Sequence, residues 1–124
     1  WEDRTIGEVL LEPTRIYTDL LQPMRSHGVR AAAHITGGGW TNLKRLGEFN
    51  FEISKPFPIQ PIFDFIQSEG VITDEEMHRT FNMGTGFVAA LPESNASNLA
   101  ESTDGRLIGR VSEGEGVDIR GLEL

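Results

Sequence analysis

The sequence predicts an α+β domain: a mixed β-sheet of four to five strands with helices packed on its faces. Three observations carry this expectation. Short apolar runs of strand length alternate with segments of helical periodicity. Glycine and proline punctuate nearly every junction between them. The chain has 124 residues, which fits one domain, 1–124, able to bury about two-thirds of its unfolded surface. Strands interleaved with helices at this length pack as helices on a sheet.

The N-terminal segment, Trp1 to Glu12, is mixed, with Ile6–Leu11 reading as a short extended piece. Pro13 biases Glu12 towards extended geometry, and Thr14 is placed to cap the next helix. Tyr17, Leu20, Leu21 and Met24 lie at i, i+3, i+4 and i+7, one helical face. Pro23 conflicts with a straight helix and predicts a kink or a restart. Gly28 closes it. Val29 to Thr36 reads as a buried strand, with Val29, Ala31, Ala33 and Ile35 on one side and Arg30, Ala32, His34 and Thr36 on the other. Trp40–Leu46 reads as a short helix ended by Gly47. Asn50–Ser54 alternates as a strand that Pro56 and Pro58 stop.

Pro61 occupies a favoured first-turn position, and Ile62, Phe63, Phe65 and Ile66 form the apolar face of a helix ended by Gly70. Thr73-Asp74-Glu75-Glu76 has the capping-box pattern, with Ile72 and Met77 placed as a hydrophobic staple. That helix carries Met77 and Phe81 inward and ends near Asn82. Phe87–Leu91 reads as a central strand, and Ser94 as the cap of a helix through Ala96, Leu99 and Ala100. Leu107–Ser112 and Val117–Leu122 read as two strands of one hairpin turning at Glu113-Gly114-Glu115-Gly116.

Composition narrows the function classes. Nineteen acidic and 11 basic residues give a net charge of −8, which argues against nucleic acid, whose partners present a basic face, and against an anionic membrane surface. A few arginines and backbone amides can still dominate one cleft. With no cysteine there is neither a disulfide nor a thiolate metal site, and no pair of the three histidines has metal-ligand spacing. No apolar run approaches the ~20 residues of a membrane helix, so a cytoplasmic location is expected. The chain begins with Trp1, as a processed chain or a piece of a longer protein would. Asn95-Ala96-Ser97 matches the glycosylation pattern by chance.

The chemistry-bearing stretch is His34-Ile35-Thr36-Gly37-Gly38-Gly39. A strand that ends in three glycines and turns into a helix can hold an anion. Glycine permits positive φ and close backbone approach, and the helix start supplies unpaired amides and the positive end of its dipole. A flexible surface turn is the plainer reading. His34 shares a strand face with Thr36 and is read either as functional or as a buried, hydrogen-bonded side chain. His27 and His78 fall on exposed helix faces. Arg15, Arg45 and Arg79 lie near helix ends or turns and together are the cations placed to meet a phosphate. Glu75 and Glu76 pair, although capping explains Glu76. Asn82 suits a left-handed cap. Ser94, Ser97 and Ser102 have no partner base in sight. The set looks like part of a site.

Taken together, Pro13-Thr14-Arg15-Ile16-Tyr17, His34-Ile35-Thr36-Gly37-Gly38-Gly39, Pro61-Ile62-Phe63 and Glu76-Met77-x-Arg79-Thr80-Phe81-Asn82-Met83-Gly84-x-Gly86 resemble, in this order, the C-terminal domain of phosphoribosylformylglycinamidine cyclo-ligase, or aminoimidazole ribonucleotide synthetase. The likeness runs from about Gly7 to Leu91 and is weaker to the end. The resemblance implies a two-domain, homodimeric enzyme of purine biosynthesis that closes the imidazole ring of formylglycinamidine ribonucleotide. ATP activates the formyl amide oxygen as a phosphoryl ester, a nitrogen attacks that carbon, and phosphate leaves.

It further implies that ATP and magnesium are held mostly by an N-terminal domain, and that the phosphorylated ribonucleotide lies between the two domains. This chain would be the C-terminal half, without cofactor of its own. His34 would be the candidate catalytic group, with Thr36, Gly37, Gly38 and Gly39 lining the cleft. Arg15, Arg79 and Asn82 would support or face it. Where many members continue Thr-Glu-Asn-Ile-Pro-Arg after the glycines, this chain has Thr41-Asn42-Leu43-Lys44-Arg45, one residue shorter and without the proline. By the resemblance, Asn42 and Arg45 would take the corresponding roles. Trp40, where a smaller apolar residue is usual, implies a repacked turn. Two alternatives stand beside this reading: another ATP-dependent member of the superfamily, such as formylglycinamide ribonucleotide amidotransferase, or a non-catalytic binding module.

Overall fold

A computed structural model describes residues 3–124; Trp1 and Glu2, part of the mixed N-terminal segment, lie outside the described residues. The fold is α+β, with the strands in two sheets. Helices α1 (Ile6–Leu10) and α2 (Leu21–Ser26) precede strand β1 (Ala31–His34), and a 3₁₀ helix, Gly39–Leu46, comes after it. Then come β2 (Asn50–Ile53), α3 (Pro61–Gly70), α4 (Asp74–Thr80), β3 (Phe87–Ala90), α5 (Glu93–Ser102), β4 (Gly109–Ser112), β5 (Gly116–Ile119) and β6 (Leu122–Glu123).

The mixed four-stranded sheet has the order β4-β2-β5-β6. Strand β2 runs antiparallel to β4 and parallel to β5, with Phe51 opposite both Val111 and Val117. Its alternation is clean: Phe51 and Ile53 are buried and Glu52 is exposed. The second sheet is a ribbon in which β1 and β3 run antiparallel, with Ala33 opposite Val88 and His34 opposite Phe87. Both sheets and the 3₁₀ helix share one core of Ala33, Ile35, Trp40, Leu43, Phe51, Ile53, Met77, Met83, Val117 and Ile119.

Several local expectations change. Ile6–Leu10 is helical, because Thr5 and Glu8 form a reciprocal capping box. Pro23 lies in the first turn of α2, where its missing N–H costs nothing; the chain restarts there after a 3₁₀ turn, Thr18–Leu20. At Thr73 only half of a capping box forms. The Thr73 hydroxyl accepts from the Glu76 amide, while the Glu76 carboxylate accepts from Thr80 Oγ1 instead of reaching back. Helix α3 runs through Gly70 and is capped by Val71 at φ 51°. Helix α5 starts at Glu93 behind Pro92, with no side-chain cap from Ser94.

Phe87–Ala90 is no central strand: it pairs only with β1 and is half-buried throughout. The expected hairpin is split. Strands β4 and β5 are antiparallel to each other, but β2 lies between them. The true tight hairpin joins β5 to β6 through Arg120-Gly121, both at positive φ (54° and 94°), which is the left-handed two-residue turn that matches strand twist.

Candidate functional site

The glycine turn is built from the inside out by one buried side chain. Asn42 is 3% exposed. Its Nδ2 donates to the carbonyls of Thr36 (3.3 Å), Gly37 (3.1 Å) and Gly39 (2.8 Å). The Gly39 amide also donates to the Thr36 carbonyl, at 2.9 Å. No peptide bond is cis, and in a trans peptide the C=O and the following N–H point in opposite directions. Carbonyls of Thr36 and Gly37 gathered inward therefore turn the amides of Gly37 and Gly38 outward. The Thr36 amide also faces out, since Ile35 just before it donates across the ribbon to Gly86, at 2.8 Å. None of these three amides donates to another group among the described residues, and Thr36, Gly37 and Gly38 are exposed.

The three glycines do different work. A Cβ on Gly37 would meet nothing within 4 Å. Gly38 caps the 3₁₀ helix at φ 92°, a conformation that L side chains rarely adopt. Gly39, at φ 55°, is buried with its Cα against the end of α4, where a Cβ would strike the carbonyl oxygens of His78 and Phe81. Gly37 and Gly38 face solvent, and Gly39 faces the protein.

His34 is exposed, not buried and hydrogen-bonded. Its ring meets Tyr17 edge-on (centroids 5.5 Å, 69°) and lies 6.2 Å from Phe87. Tyr17 stacks on Phe87 at 5.2 Å and 28°, with the Arg15 guanidinium 5.1 Å from the Tyr17 ring centroid. Tyr17 can lie flat there because residue 86 is glycine; a Cβ on Gly86 would run into the phenol. Arg15, Tyr17 and Phe87 continue into an open cleft of about 240 Å³, lined also by Leu20, Phe57, Gly84, Gly86 and Thr103–Gly105. The glycine turn does not line it. Sequence reasoning passes over Tyr17, Phe87 and Gly86 as site residues, although Tyr17 and Gly86 stand in the recognised motifs; Asp104, on the cleft wall, carries no signal.

The remaining candidates are dispersed. Arg15 pairs with Asp19 (3.5 Å) and Arg79 with Glu75 (3.1 Å), half-exposed pairs worth little by themselves. Arg45 is exposed near the end of the 3₁₀ helix and makes no ion pair among the described residues. The Asn82 side chain accepts from the Gly84 amide at 2.9 Å. The left-handed residue is Met83, at φ 50° and 4% exposed, held there by its burial in the core. His27 and His78 are half-buried, each Nδ1–H donating to the carbonyl four residues earlier, Pro23 and Asp74. Asn95 Nδ2 donates to the His27 carbonyl. No group of three His, Asp or Glu side chains among the described residues is placed to hold a metal ion.

Fold and turn together define a class: an α+β domain whose strand exit carries outward amides beside an exposed histidine. The family model for the C-terminal domain of AIR synthase related protein matches residues 1–121, and the chain belongs to that family. Its relatives narrow the class. The phosphoribosylformylglycinamidine cyclo-ligase of Methanosarcina acetivorans is 46% identical over 119 residues, covering 96% of this chain and 35% of the relative. That of Methanococcoides burtonii is 44% identical over 122 residues (98% and 36%), and that of Bacillus velezensis 41% over 131 residues (98% and 38%). The chain thus spans little more than a third of the length of these relatives.

Proposed function

We propose that this chain is the C-terminal part of a phosphoribosylformylglycinamidine cyclo-ligase and forms one wall of its substrate cleft. The reaction is the ATP-dependent ring closure of formylglycinamidine ribonucleotide to aminoimidazole ribonucleotide, in purine biosynthesis in the cytoplasm. The remaining two-thirds of a relative-length protein supplies an N-terminal domain with the ATP and magnesium sites and the homodimer interface. The observation that carries this is the row of three outward, unpartnered amides at Thr36, Gly37 and Gly38 next to exposed His34.

Each group has a physical role in this reading. The amides receive a phosphate oxygen or a developing oxyanion, and those of Gly37 and Gly38 are preorganised because Asn42 holds the Thr36 and Gly37 carbonyls that precede them. Arg45, free of ion pairs among the described residues, adds a cation. His34, held by Tyr17 and Phe87, presents a group of the right type to move a proton. Arg15, Arg79 and Asn82 support the walls. No step is assigned to a metal held by this chain.

The test joins this chain to the N-terminal two-thirds of the Methanosarcina acetivorans relative and measures ATP-dependent aminoimidazole formation. Product is expected, with a large loss in Gly37→Val. A fusion that folds, as judged by cooperative melting, yet makes no product overturns the reading.

A further inference from the structure

The ribbon is an unfinished sheet. Strands β1 and β3 have four residues each and pair with nothing else, whereas an isolated two-stranded unit is marginal in water. The Ile35 amide donates across the ribbon to Gly86. Backbone direction alternates along a strand, so Ala33 also faces β3, and the polar groups of Ala32 and His34 face away. These form a free edge that continues into the outward Thr36 amide. Ala32, His34 and Thr36 are all exposed. The edge carries few of the usual guards, since β1 is Ala-Ala-Ala-His, without lysine or proline.

A second observation lies in the N-terminal arm. Ile6 (42%), Leu10 (61%), Leu11 (82%), Ile16 (76%) and Leu21 (54%) are half of the large apolar side chains exposed among the described residues. Helix α1 buries nothing. This arm crosses to the ribbon through Tyr17, which rests on His34 and Phe87.

We infer that the free edge of β1 and the apolar arm, residues 6–21, form one docking surface for the polypeptide that precedes this chain in a relative-length protein, and that this polypeptide adds a strand to β1. The inference rests on the proposal that the chain is the C-terminal third of such a protein. The occupant is set by the size of the missing part, nearly two-thirds of each relative, and by the position of the arm at the end where that part attaches. Strand addition supplies the backbone bonds, and the arm supplies apolar area. The added strand pairs with Ala32 and His34 and stops short of Thr36, whose amide stays with the glycine turn, so docking brings the preceding polypeptide beside that turn.

Hydrogen exchange on the fusion with the Methanosarcina acetivorans N-terminal part tests this. The Ala32 and His34 amides should exchange at least about 100-fold more slowly than in this chain alone. Exchange equally fast in both overturns the inference. Ala32→Pro gives a second readout. Proline is tolerated on an edge strand whose N–H faces solvent, so this chain alone should melt unchanged, while the fusion should melt at a lower temperature. Ala32→Ser, which keeps the amide, should leave both unchanged. An unchanged melting temperature for the proline fusion overturns the inference. So does self-association of this chain that Ala32→Pro abolishes, since the occupant is then a second copy. Protected edge amides in a fusion that makes no product would sink the proposed reaction and leave the docking surface standing. Product from a fusion with unprotected edge amides would do the reverse.

Discussion

Alanine placed in turn at Gly37, Gly38 and Gly39 should give three different stabilities, in an order set by the backbone. At Gly39 two costs add. A left-handed backbone is disfavoured for an L residue by about 1–2 kcal/mol. The new Cβ would meet the His78 and Phe81 carbonyls and the Arg79 carbonyl carbon, backbone atoms that cannot swing aside, and overpacking of this kind costs about 1–3 kcal/mol. Gly39→Ala is therefore expected to lose about 3 kcal/mol, a large share of the roughly 5–15 kcal/mol that a domain has. At Gly38 only the first cost applies in full, because the nearest atom is the Thr41 hydroxyl at 3.3 Å, so the loss is about 1 kcal/mol. At Gly37 the Cβ meets nothing and φ is ordinary. Alanine there restricts the unfolded chain and stabilises by about 0.4 kcal/mol or more. Urea unfolding with an unchanged m-value reads all three. Equal losses at the three positions, or a Gly39→Ala loss below about 1 kcal/mol, would refute this division of labour among the glycines.

Other perturbations test the same geometry. Gly37→Val should leave the melting temperature within a degree or two of the parent yet abolish the amide shifts that inorganic phosphate induces at Thr36–Gly38 in a heteronuclear NMR titration. Gly38→Val is the poorer probe, because φ 92° makes it unfold the turn as well. Asn42→Ala should cost about 1–3 kcal/mol, because the buried side-chain donor shared by three carbonyls is lost, although the Gly39 amide still serves that of Thr36; hydrogen exchange around the turn should rise with it. Two exposed, strained positions offer gains. Val71→Gly at the end of α3 (φ 51°, 90% exposed) and Arg120→Asn in the β5–β6 turn (φ 54°) should each stabilise by about 0.5–1 kcal/mol in thermal melts.

What the sequence reveals and what it hides divide along one physical line. Features set by neighbours in the chain are legible: Pro61 opening α3, Thr73 capping α4, the alternation of β2. Even the miss at Ile6–Leu10 is local, since Thr5-x-x-Glu8 is a capping box that an unbroken apolar run conceals. Features set by distant chain are not legible. Glu113–Gly116 looks like a hairpin turn, and nothing in those residues tells that β2 enters between its arms. Nor does Gly37-Gly38-Gly39 say which glycine meets α4, because that depends on where the His78 and Phe81 carbonyls come to rest.

Asn42 shows how one side chain inside a turn sets the direction of the backbone around it. The family resemblance puts it on the cleft. Its Nδ2 commits both N–H groups to three carbonyls in the interior of the turn. Its influence is nevertheless direct. Each carbonyl drawn inward reverses the following amide, because a trans peptide holds the two groups opposed. Removing Asn42 would free the Gly37 carbonyl to turn outward, while the Gly39 amide still holds that of Thr36, so the Gly38 N–H would lose its fixed outward direction. A carboxylate in its place would be worse, having no proton to offer three acceptors. The outward direction of the Gly37 and Gly38 amides is thus a property of peptide planes fixed from the interior of the turn.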